Sequence, residues 1–221
     1  MKRPKNCERN LPMKKKAHIY IVGMGPGNPD YLTPKAKEII ENSDVLMGGR
    51  RHLKDTRHYG KEERSIEGDF QGVVTYIQEQ AAKRKISVLV SGDPGFYSML
   101  GYLKRHLQDI EMDVIPGISS MSYLSSRLGE TWHEDAYVSL HGKEEHLQQA
   151  VKNKNKVFVL TDATHTPNEL AKALKDYGFE NKMMIVGENL SYEEEKITKI
   201  PLKEWRDRQW SNLNTVVIAD E

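Results

Sequence analysis

The stretch VLVSGDPGFYS, Val88 to Ser98, joins an apolar run to a turn rich in glycine and proline. The run is typical of a buried strand, and Gly92 and Gly95 permit close backbone approach on either side of the rigid Pro94. Asp93 then lies at the carboxyl end of a strand, which is where open α/β sheets bind ligands. An ordinary β-turn, with Asp and Pro in their usual places, is the simpler interpretation.

Two more segments place a glycine-rich or proline-rich loop after a predicted strand. GMGPGNPDYLT, Gly23 to Thr33, follows the apolar run His18 to Val22. VIPGISS, Val114 to Ser120, ends a shorter predicted strand. Its Ser119 is either the N-cap of the next helix or, with Ser120, a ligand contact.

The first of these loops does not fit a dinucleotide site. That fingerprint requires G-x-G-x-x-G leading directly into a helix. Here the glycines are spaced G-x-G-x-G, Asn28 stands at the third position, and the next helix is expected only near Pro34. Asp44, the nearest candidate for the ribose carboxylate, precedes its strand and does not end it.

Strand and helix patterns alternate along the chain, which favours an α/β protein built from mostly parallel sheets flanked by helices. Strands are predicted at 18–22, 45–47, 86–90, 113–115, 136–140, 157–160, 183–186 and 214–218. Helices are predicted at 34–42, 70–83, 99–107, 119–128, 143–152 and 167–177. Residues 193–200 fit either a strand or an irregular arm, and the run Glu193 to Glu195 either a solvated face or an intersubunit arm.

The polar, aperiodic stretch at 129–135 predicts a linker between two α/β domains, 17–128 and 136–221. Residues 1–16 are basic without an apolar core, which indicates a disordered lead-in and not a secretory signal. A cleft between the two domains is the expected ligand site.

The composition excludes several classes of protein. Hydrophobic residues make up 38% and charged residues 29% of 221, and the net charge is only +1, so nothing demands nucleic acid or an anionic membrane. No apolar run approaches the ~20 residues that span a bilayer. The single cysteine, Cys7, rules out an intrachain disulfide and a multi-cysteine zinc site, and we expect a cytoplasmic protein.

The three loops, in this order and spacing, closely resemble the tetrapyrrole (corrin/porphyrin) methylase family, which transfers a methyl group from S-adenosylmethionine. The resemblance covers residues 17–220. VSLHGK at 138–143, VLTD at 159–162, GENLSYEEE at 187–195 and NTVVI at 214–218 resemble the branch that methylates C5 of a corrin precursor during cobalamin synthesis. It implies a two-domain fold, a homodimer and a cofactor held between the domains.

The resemblance also implies a set of residues that contact S-adenosylmethionine, and S-adenosylhomocysteine after transfer. These are Pro26, Gly92, Asp93, Phe96, Tyr97, Ser119 and Ser120 from the first half, and Thr161, Asp162, Asn189 and Leu190 from the second. Asp93, Tyr97 and His141 are candidates for the base that removes a proton after methylation, acting mainly by position. No protein-bound metal is expected, so any cobalt would arrive inside the substrate.

A corrin precursor carries acetate and propionate groups, which favours cationic groups along its binding site. GGRRHL, Gly48 to Leu53, could supply Arg50, Arg51 and His52, unless it is simply a solvated basic loop. His141 either faces the substrate or has a structural role.

Three alternatives stay open. The protein could be another tetrapyrrole methylase of the same pathway, a nicotinamide-dependent reductase, or a non-catalytic cofactor-binding subunit. The chain ends at Glu221, soon after its last predicted strand. The branch that it resembles is described as a C5,15-methyltransferase when it is fused to a decarboxylating partner, which forms a C-terminal extension in the fused relatives. The resemblance therefore implies a separate partner enzyme for methylation at C15 and decarboxylation.

Overall fold

The computed structural model describes residues 17–139, 144–162 and 164–220, and within them two five-stranded sheets follow one another along the chain. The predicted lead-in at 1–16 lies outside the described residues, as does His141.

The first sheet is entirely parallel, with strand order β3-β2-β4-β1-β5. Its strands are β1 (His18–Gly23), β2 (Val45–Gly48), β3 (Glu62–Ser65), β4 (Ile86–Val90) and β5 (Glu111–Ile115). The accompanying helices are α1 (Pro34–Glu41), α2 (Arg50–Thr56), α3 (Phe70–Gln80), α4 (Leu100–His106) and α5 (Ser120–Leu128). Because β1 lies between β4 and β5, the three loops that follow these strands emerge side by side.

Local sequence explains most of these elements. Thr33 caps α1 by accepting a hydrogen bond from the Ala36 N–H, and Pro34 occupies the first helical position. Every residue of β4 is buried, as a central strand of a parallel sheet requires. The predicted strands and helices of this half are confirmed, with ends that match or are shifted by up to three residues.

Two elements of the first half were not predicted. The basic segment expected as a loop is helix α2, in which the partly apolar face includes Leu53 and the buried His52. Strand β3 has the sequence EERS, without an apolar residue, and it forms because β2 offers it a parallel edge.

The second sheet has the order β6-β7-β10-β8-β9. Its strands are β6 (Ala136–Ser139), β7 (Lys156–Leu160), β8 (Lys182–Glu188), β9 (Lys196–Pro201) and β10 (Asn214–Asp220), with helices α6 (Glu144–Asn153) and α7 (Pro167–Asp176). The expectation of a mostly parallel sheet is wrong here, because only β6 and β7 are parallel and the other three pairs are antiparallel. No α-helix separates β8, β9 and β10, and a parallel pair needs a crossover.

Helix α5 connects the two halves. Its Met121 and Leu124 pack in one cluster with Phe158, Ile185 and Val217 of the second sheet. Separate clusters fill the remaining faces of each sheet. The chain therefore leaves β5, turns through VIPGISS and is held against the second sheet, which positions that loop between the two halves. Within the described residues, no helix has the length and apolar character needed to cross a membrane.

Candidate functional site

Three glycines bring the strand-end loops into backbone contact. A Cβ on Gly117 would lie 2.2 Å from the Gly92 carbonyl oxygen and 3.0 Å from the Gly23 Cα, and one on Gly23 would lie 2.7 Å from the Gly117 nitrogen. Gly25 and Gly92 also exchange two backbone hydrogen bonds, at 3.2 and 3.0 Å. We call Gly23, Gly92 and Gly117 the glycine junction. These glycines serve loop packing, which allows three loops to lie against one another without side chains between them.

The carboxylate of Asp93 joins two of these loops. Its Oδ1 accepts a hydrogen bond from the Gly95 N–H at 2.7 Å, within its own turn. Its Oδ2 accepts one from the Gly117 N–H at 3.1 Å, in the loop after β5. Asp93 therefore has a structural task at the edge of the site.

A cleft of about 270 Å³ lies between the glycine-rich loops and the second sheet. Of the residues expected to contact the cofactor, those that line it are Pro26, Gly92, Asp93, Phe96, Tyr97, Ser119, Ser120, Thr161 and Leu190. Arg51, one of the expected substrate contacts, lines it as well. Asp162, Asn189, Arg50 and His52 do not, and His141 lies outside the described residues.

The cleft also includes residues that the sequence analysis did not name as site residues. These are Gly25, Ser91, Leu160, Gly187, Tyr192, Asn212, Leu213, Asn214 and Thr215. Several of them belong to motifs that carried the family resemblance, since Leu160 lies in VLTD, Tyr192 in GENLSYEEE and Asn214 in NTVVI. Side chains alternate between the two faces of a strand, and the sequence does not reveal which face of the second sheet borders the first half of the chain.

The two serines of VIPGISS have different tasks. Ser119 is the N-cap of α5, where its Oγ accepts a hydrogen bond from the Ser122 N–H at 3.1 Å. Ser120 accepts one from the Thr215 hydroxyl at 3.0 Å, and Thr215 belongs to β10. The N-cap interpretation of Ser119 is thus confirmed, and Ser120 links the two halves of the cleft.

Phe96 and Tyr97 form an aromatic edge of the cleft. Their rings meet edge-to-face with centroids 4.8 Å apart, and Phe96 makes a similar contact with Tyr137 at 5.6 Å. Tyr97 has a φ of 44° and remains 58% exposed. A bulky residue at positive φ is strained, and such strain is concentrated at functional sites.

The second sheet supplies polar groups that are already partnered. The Thr161 hydroxyl donates to the Asn214 carbonyl at 3.0 Å and also lies 2.8 Å from Asn214 Oδ1. Asn189 Oδ1 accepts from the Ser211 hydroxyl at 2.7 Å, and Asn189 is not among the residues that line the cleft.

Asp162 organises the start of α7. Its Oδ1 accepts from the backbone N–H groups of Thr164 and His165, at 2.8 and 2.7 Å, and the His165 ring lies 3.0 Å away. The pKa of Asp162 is lowered to about 2, mainly by the hydrogen bond from the His165 N–H. The His165 imidazole and the Thr164 N–H lower it further. This carboxylate stabilises a loop beside the cleft.

Arg50 and Arg51 have opposite environments. Arg50 pairs with Glu67 at 3.0 Å, and its side chain is 85% exposed. Arg51 donates from Nη1 to the Tyr192 hydroxyl and from Nη2 to Ser91 Oγ, both at 2.9 Å, and its Nη2 lies 3.3 Å from His52 Nε2. His52 is buried. Its pKa is lowered to about 4, mainly by burial and to a smaller extent by the charge of Arg51. The imidazole is therefore neutral at pH 7.

Residues 189–195 connect β8 to β9, and we call them the 189–195 turn. This turn closes the cleft on the side of the second sheet. Ser191 Oγ accepts from the Asn28 N–H at 2.9 Å, and Glu195 accepts from Arg127 Nε at 2.7 Å. The Tyr192 ring fills the space that a side chain on Gly27 would occupy. Glu195 is therefore an internal contact, and the interpretation of 193–195 as a solvated face is wrong for this residue.

The part of the chain that the structure describes contains no cluster of three or more His, Cys, Asp and Glu side chains able to hold a metal ion. The absence of a protein-bound metal stays a prediction, since His141 is not among these residues.

Comparison with known proteins identifies the family. A sequence model described as Tetrapyrrole (Corrin/Porphyrin) Methylases matches residues 18–205. The cobalt-precorrin-7 C(5)-methyltransferase of Salmonella typhimurium is 35% identical over 203 residues, covering 92% of this chain and 99% of that relative.

Solved structures agree with this match. The crystal structure of a precorrin-6Y methylase of cobalamin biosynthesis from Archaeoglobus fulgidus superposes with a TM-score of 0.72 at 25% identity, over 93% of this chain and 99% of that one. A uroporphyrin-III C-methyltransferase from Thermus thermophilus, complexed with S-adenosylhomocysteine, shares the fold with a TM-score of 0.72 at 20% identity, over 91% and 97% of the two chains. The chain therefore belongs to the tetrapyrrole (corrin/porphyrin) methylases.

Proposed function

We propose that this protein transfers a methyl group from S-adenosylmethionine to C5 of cobalt-precorrin-7, a corrin-precursor tetrapyrrole of cobalamin biosynthesis. The observation that carries the proposal is that nine of the eleven residues expected to contact the cofactor line a single cleft. The 35% identity to the Salmonella typhimurium enzyme supports the choice of substrate.

The residues of the cleft suit the chemical parts of the proposed cofactor. Leu160, Leu190 and Leu213 offer apolar surface for the adenine, while Ser120 and Thr215 offer hydroxyls. The Asp93 carboxylate accepts two backbone hydrogen bonds, and a carboxylate has further acceptor positions for ribose hydroxyls. Asp162 and Asn189 have other partners, so we leave them out of the proposed contacts.

The bound cofactor would supply a sulfonium, whose methyl group is already activated for transfer. The chain's own task is then to hold the ring carbon in line with that methyl, about 3–3.5 Å away, and to exclude water. Backbone contacts at the glycine junction make the first side of the cleft rigid enough for such positioning. Tyr97 and Asp93 line the cleft and stay candidates for the group that assists proton loss.

Ligand binding separates this proposal from a reductase. We expect S-adenosylhomocysteine to bind in the micromolar range by calorimetric titration and NAD(P) not to bind. Binding of NAD(P) without a signal from S-adenosylhomocysteine would contradict the proposal.

An assay with purified tetrapyrrole intermediates and a labelled methyl donor tests the reaction itself. We expect mass spectrometry to show one added methyl group and NMR to place it on C5. Methylation at another carbon would favour another methylase of the pathway, and cofactor binding without turnover would favour a non-catalytic subunit.

The remaining features belong to the same proposal. They are a homodimer, a cytoplasmic location, domains at 17–128 and 136–221 joined by 129–135, cobalt carried by the substrate and not by the protein, and a separate enzyme for C15 methylation and decarboxylation. The oligomeric state can be measured by light scattering.

A further inference from the structure

Arg51 brings a positive charge to the cleft and shares it only with neutral groups. Its described hydrogen-bond partners are the Tyr192 hydroxyl, the Ser91 hydroxyl and the His52 imidazole. A guanidinium has more N–H donors than these contacts use, so donors remain for a ligand.

Within the described residues, no carboxylate forms an ion pair with Arg51. Other arginines of the same half make ion pairs within 4 Å, including Arg50 with Glu67, Arg57 with Glu63 and Arg84 with Glu62. Among the described residues, Arg51 makes no ion pair within 4 Å. The pKa of Asp55 is raised by burial and is lowered to a smaller extent by the charges of Arg51 and Lys54, so Asp55 interacts with Arg51 only at longer range. A cation that faces a cleft without a counter-ion is arranged to receive an anion.

His52 and Ser91 fix the position of the guanidinium without cancelling its charge. The imidazole is only 8% exposed, and its Nε2 lies 3.1 Å from Ser91 Oγ and 3.3 Å from Arg51 Nη2. A carboxylate at either position would hold Arg51 equally well but would neutralise its charge. Three neutral contacts from α2, the loop after β4 and the 189–195 turn therefore preorganise the guanidinium. They use one hydrogen of Nη1 and the two of Nη2, so Nε–H and the second Nη1 hydrogen are the donors offered to a ligand.

We propose that Arg51 binds a carboxylate side chain of the tetrapyrrole substrate, and that His52 and Ser91 are positioning residues for its guanidinium. This inference rests on the proposed function for the identity of the ligand. It assigns the substrate to the part of the cleft beside Gly27, because the Tyr192 ring that Arg51 contacts lies against Gly27.

Equilibrium binding of uroporphyrin, a tetrapyrrole with acetate and propionate groups, tests the inference without requiring turnover. We expect Arg51→Gln to weaken uroporphyrin binding about tenfold or more, since it removes a charge-assisted hydrogen bond. Arg57→Gln, in an exposed residue paired with Glu63, is the matched control and should stay within about twofold of the wild type. The affinity for S-adenosylhomocysteine should be unchanged in both variants.

Replacement of His52 tests the positioning role. His52→Leu should weaken uroporphyrin binding severalfold and raise the KM for the tetrapyrrole, with kcat and cofactor affinity little changed. His52→Gln retains an acceptor near the Nε2 position and should restore most of the loss. Equal losses in both variants would show that the imidazole serves packing alone and would remove it from the inference.

The outcomes for Arg51 and for the proposed function are distinguishable. Unchanged uroporphyrin binding by a folded Arg51→Gln variant overturns the inference, even if the wild type binds S-adenosylhomocysteine and transfers methyl groups. A loss of S-adenosylhomocysteine affinity in this variant also overturns it, because Arg51 would then serve the cofactor. A wild type that binds uroporphyrin through Arg51 without binding S-adenosylhomocysteine would leave the anion site intact and contradict the proposed function.

Discussion

The two sides of the cleft are built on different principles. On the first side, the glycine junction brings three loops together through backbone atoms, and the Asp93 carboxylate adds a link between two of them. On the second side, the 189–195 turn is held by side chains, through Ser191 to Asn28, Tyr192 to Arg51 and Glu195 to Arg127. Its backbone is strained, with φ values of 45° at Asn189 and 71° at Ser191.

This difference separates a fixed side from an adjustable one. Backbone atoms packed at close range cannot move aside, whereas side chains change rotamer at small cost. The first side is therefore suited to set the geometry of the reacting groups, and the second to close over them. Mutations on the two sides should differ accordingly in size and in the ease of rescue.

The largest effect is expected at the glycine junction. Gly117→Ala would place a Cβ 2.2 Å from the Gly92 carbonyl oxygen, where only backbone could move. We expect a loss of about 4 kcal/mol or more in the free energy of unfolding, measured by urea denaturation. Gly101→Ala is the control, because its nearest neighbour is the flexible Arg105 side chain at 3.7 Å and Gly101 lies in α4. A gain of up to about 1 kcal/mol is expected there.

Acid should weaken the first side before the second. The pKa of His52 falls from 6.5 to about 4 on folding, so the unfolded state binds the proton more readily. The stabilisation of the folded state that comes from keeping His52 neutral is complete above pH 6.5. It is lost as the pH falls toward 4, which lowers the free energy of unfolding by up to about 3 kcal/mol. Asp162, beside the second sheet, has a lowered pKa of about 2, and its contribution is lost only below pH 3.8.

The urea midpoint as a function of pH checks this order. His52→Gln should flatten the decline between pH 6.5 and 4, whereas Asp162→Asn should change only the part below about pH 4. An identical decline in the wild type and His52→Gln would show that other groups control this range.

Asp93 tests whether the fixed side depends on side chains at all. Asp93→Ala removes the acceptors for the Gly95 and Gly117 N–H groups and should cost about 2 kcal/mol of stability. The affinity for S-adenosylhomocysteine should fall too, whereas Asp93→Asn, which retains one oxygen acceptor, should lose less of both. Unchanged cofactor affinity and methyl transfer in the alanine variant would remove Asp93 from the site.

The smallest effects are expected in the 189–195 turn. Ser191→Ala removes the acceptor for the Asn28 N–H and keeps the positive φ, for a loss of about 1 kcal/mol. Ser191→Gly loses the same hydrogen bond but relieves the backbone strain, so it should be nearly neutral. Thermal unfolding compares the stability of the two variants. A glycine variant less stable than the alanine variant would contradict the backbone strain that we assign to Ser191.

The sequence predicted the first half well because its signals are local. Thr33 and Pro34 define a helix start, and the apolar run at 86–90 can only be a buried strand. It did not predict β3, since EERS contains no apolar residue and depends on the edge that β2 provides.

The second sheet and half of the site depend on long-range pairing. Strand direction in β8, β9 and β10 follows from the connections between them, and residues 189–195 are too short for a crossover. The absence of a helical pattern between β8 and β10 was the available signal. Tyr192 and Thr215 belong to motifs that the sequence analysis quoted, but their place in the cleft could not be identified, because it depends on contacts with Arg51 and Ser120, which lie far away in the chain.

The glycine junction also limits how this protein can diverge. A side chain at Gly23 or Gly117 requires the backbone of the other two loops to move, and one at Gly92 would stand at a φ of 62° and 3.1 Å from the Ser119 Cα. Stepwise substitution is therefore blocked there, and a lineage that acquires a new substrate must change the residues opposite. Directed evolution of specificity should accordingly concentrate its libraries on the 189–195 turn and on α2, and leave the three glycines untouched.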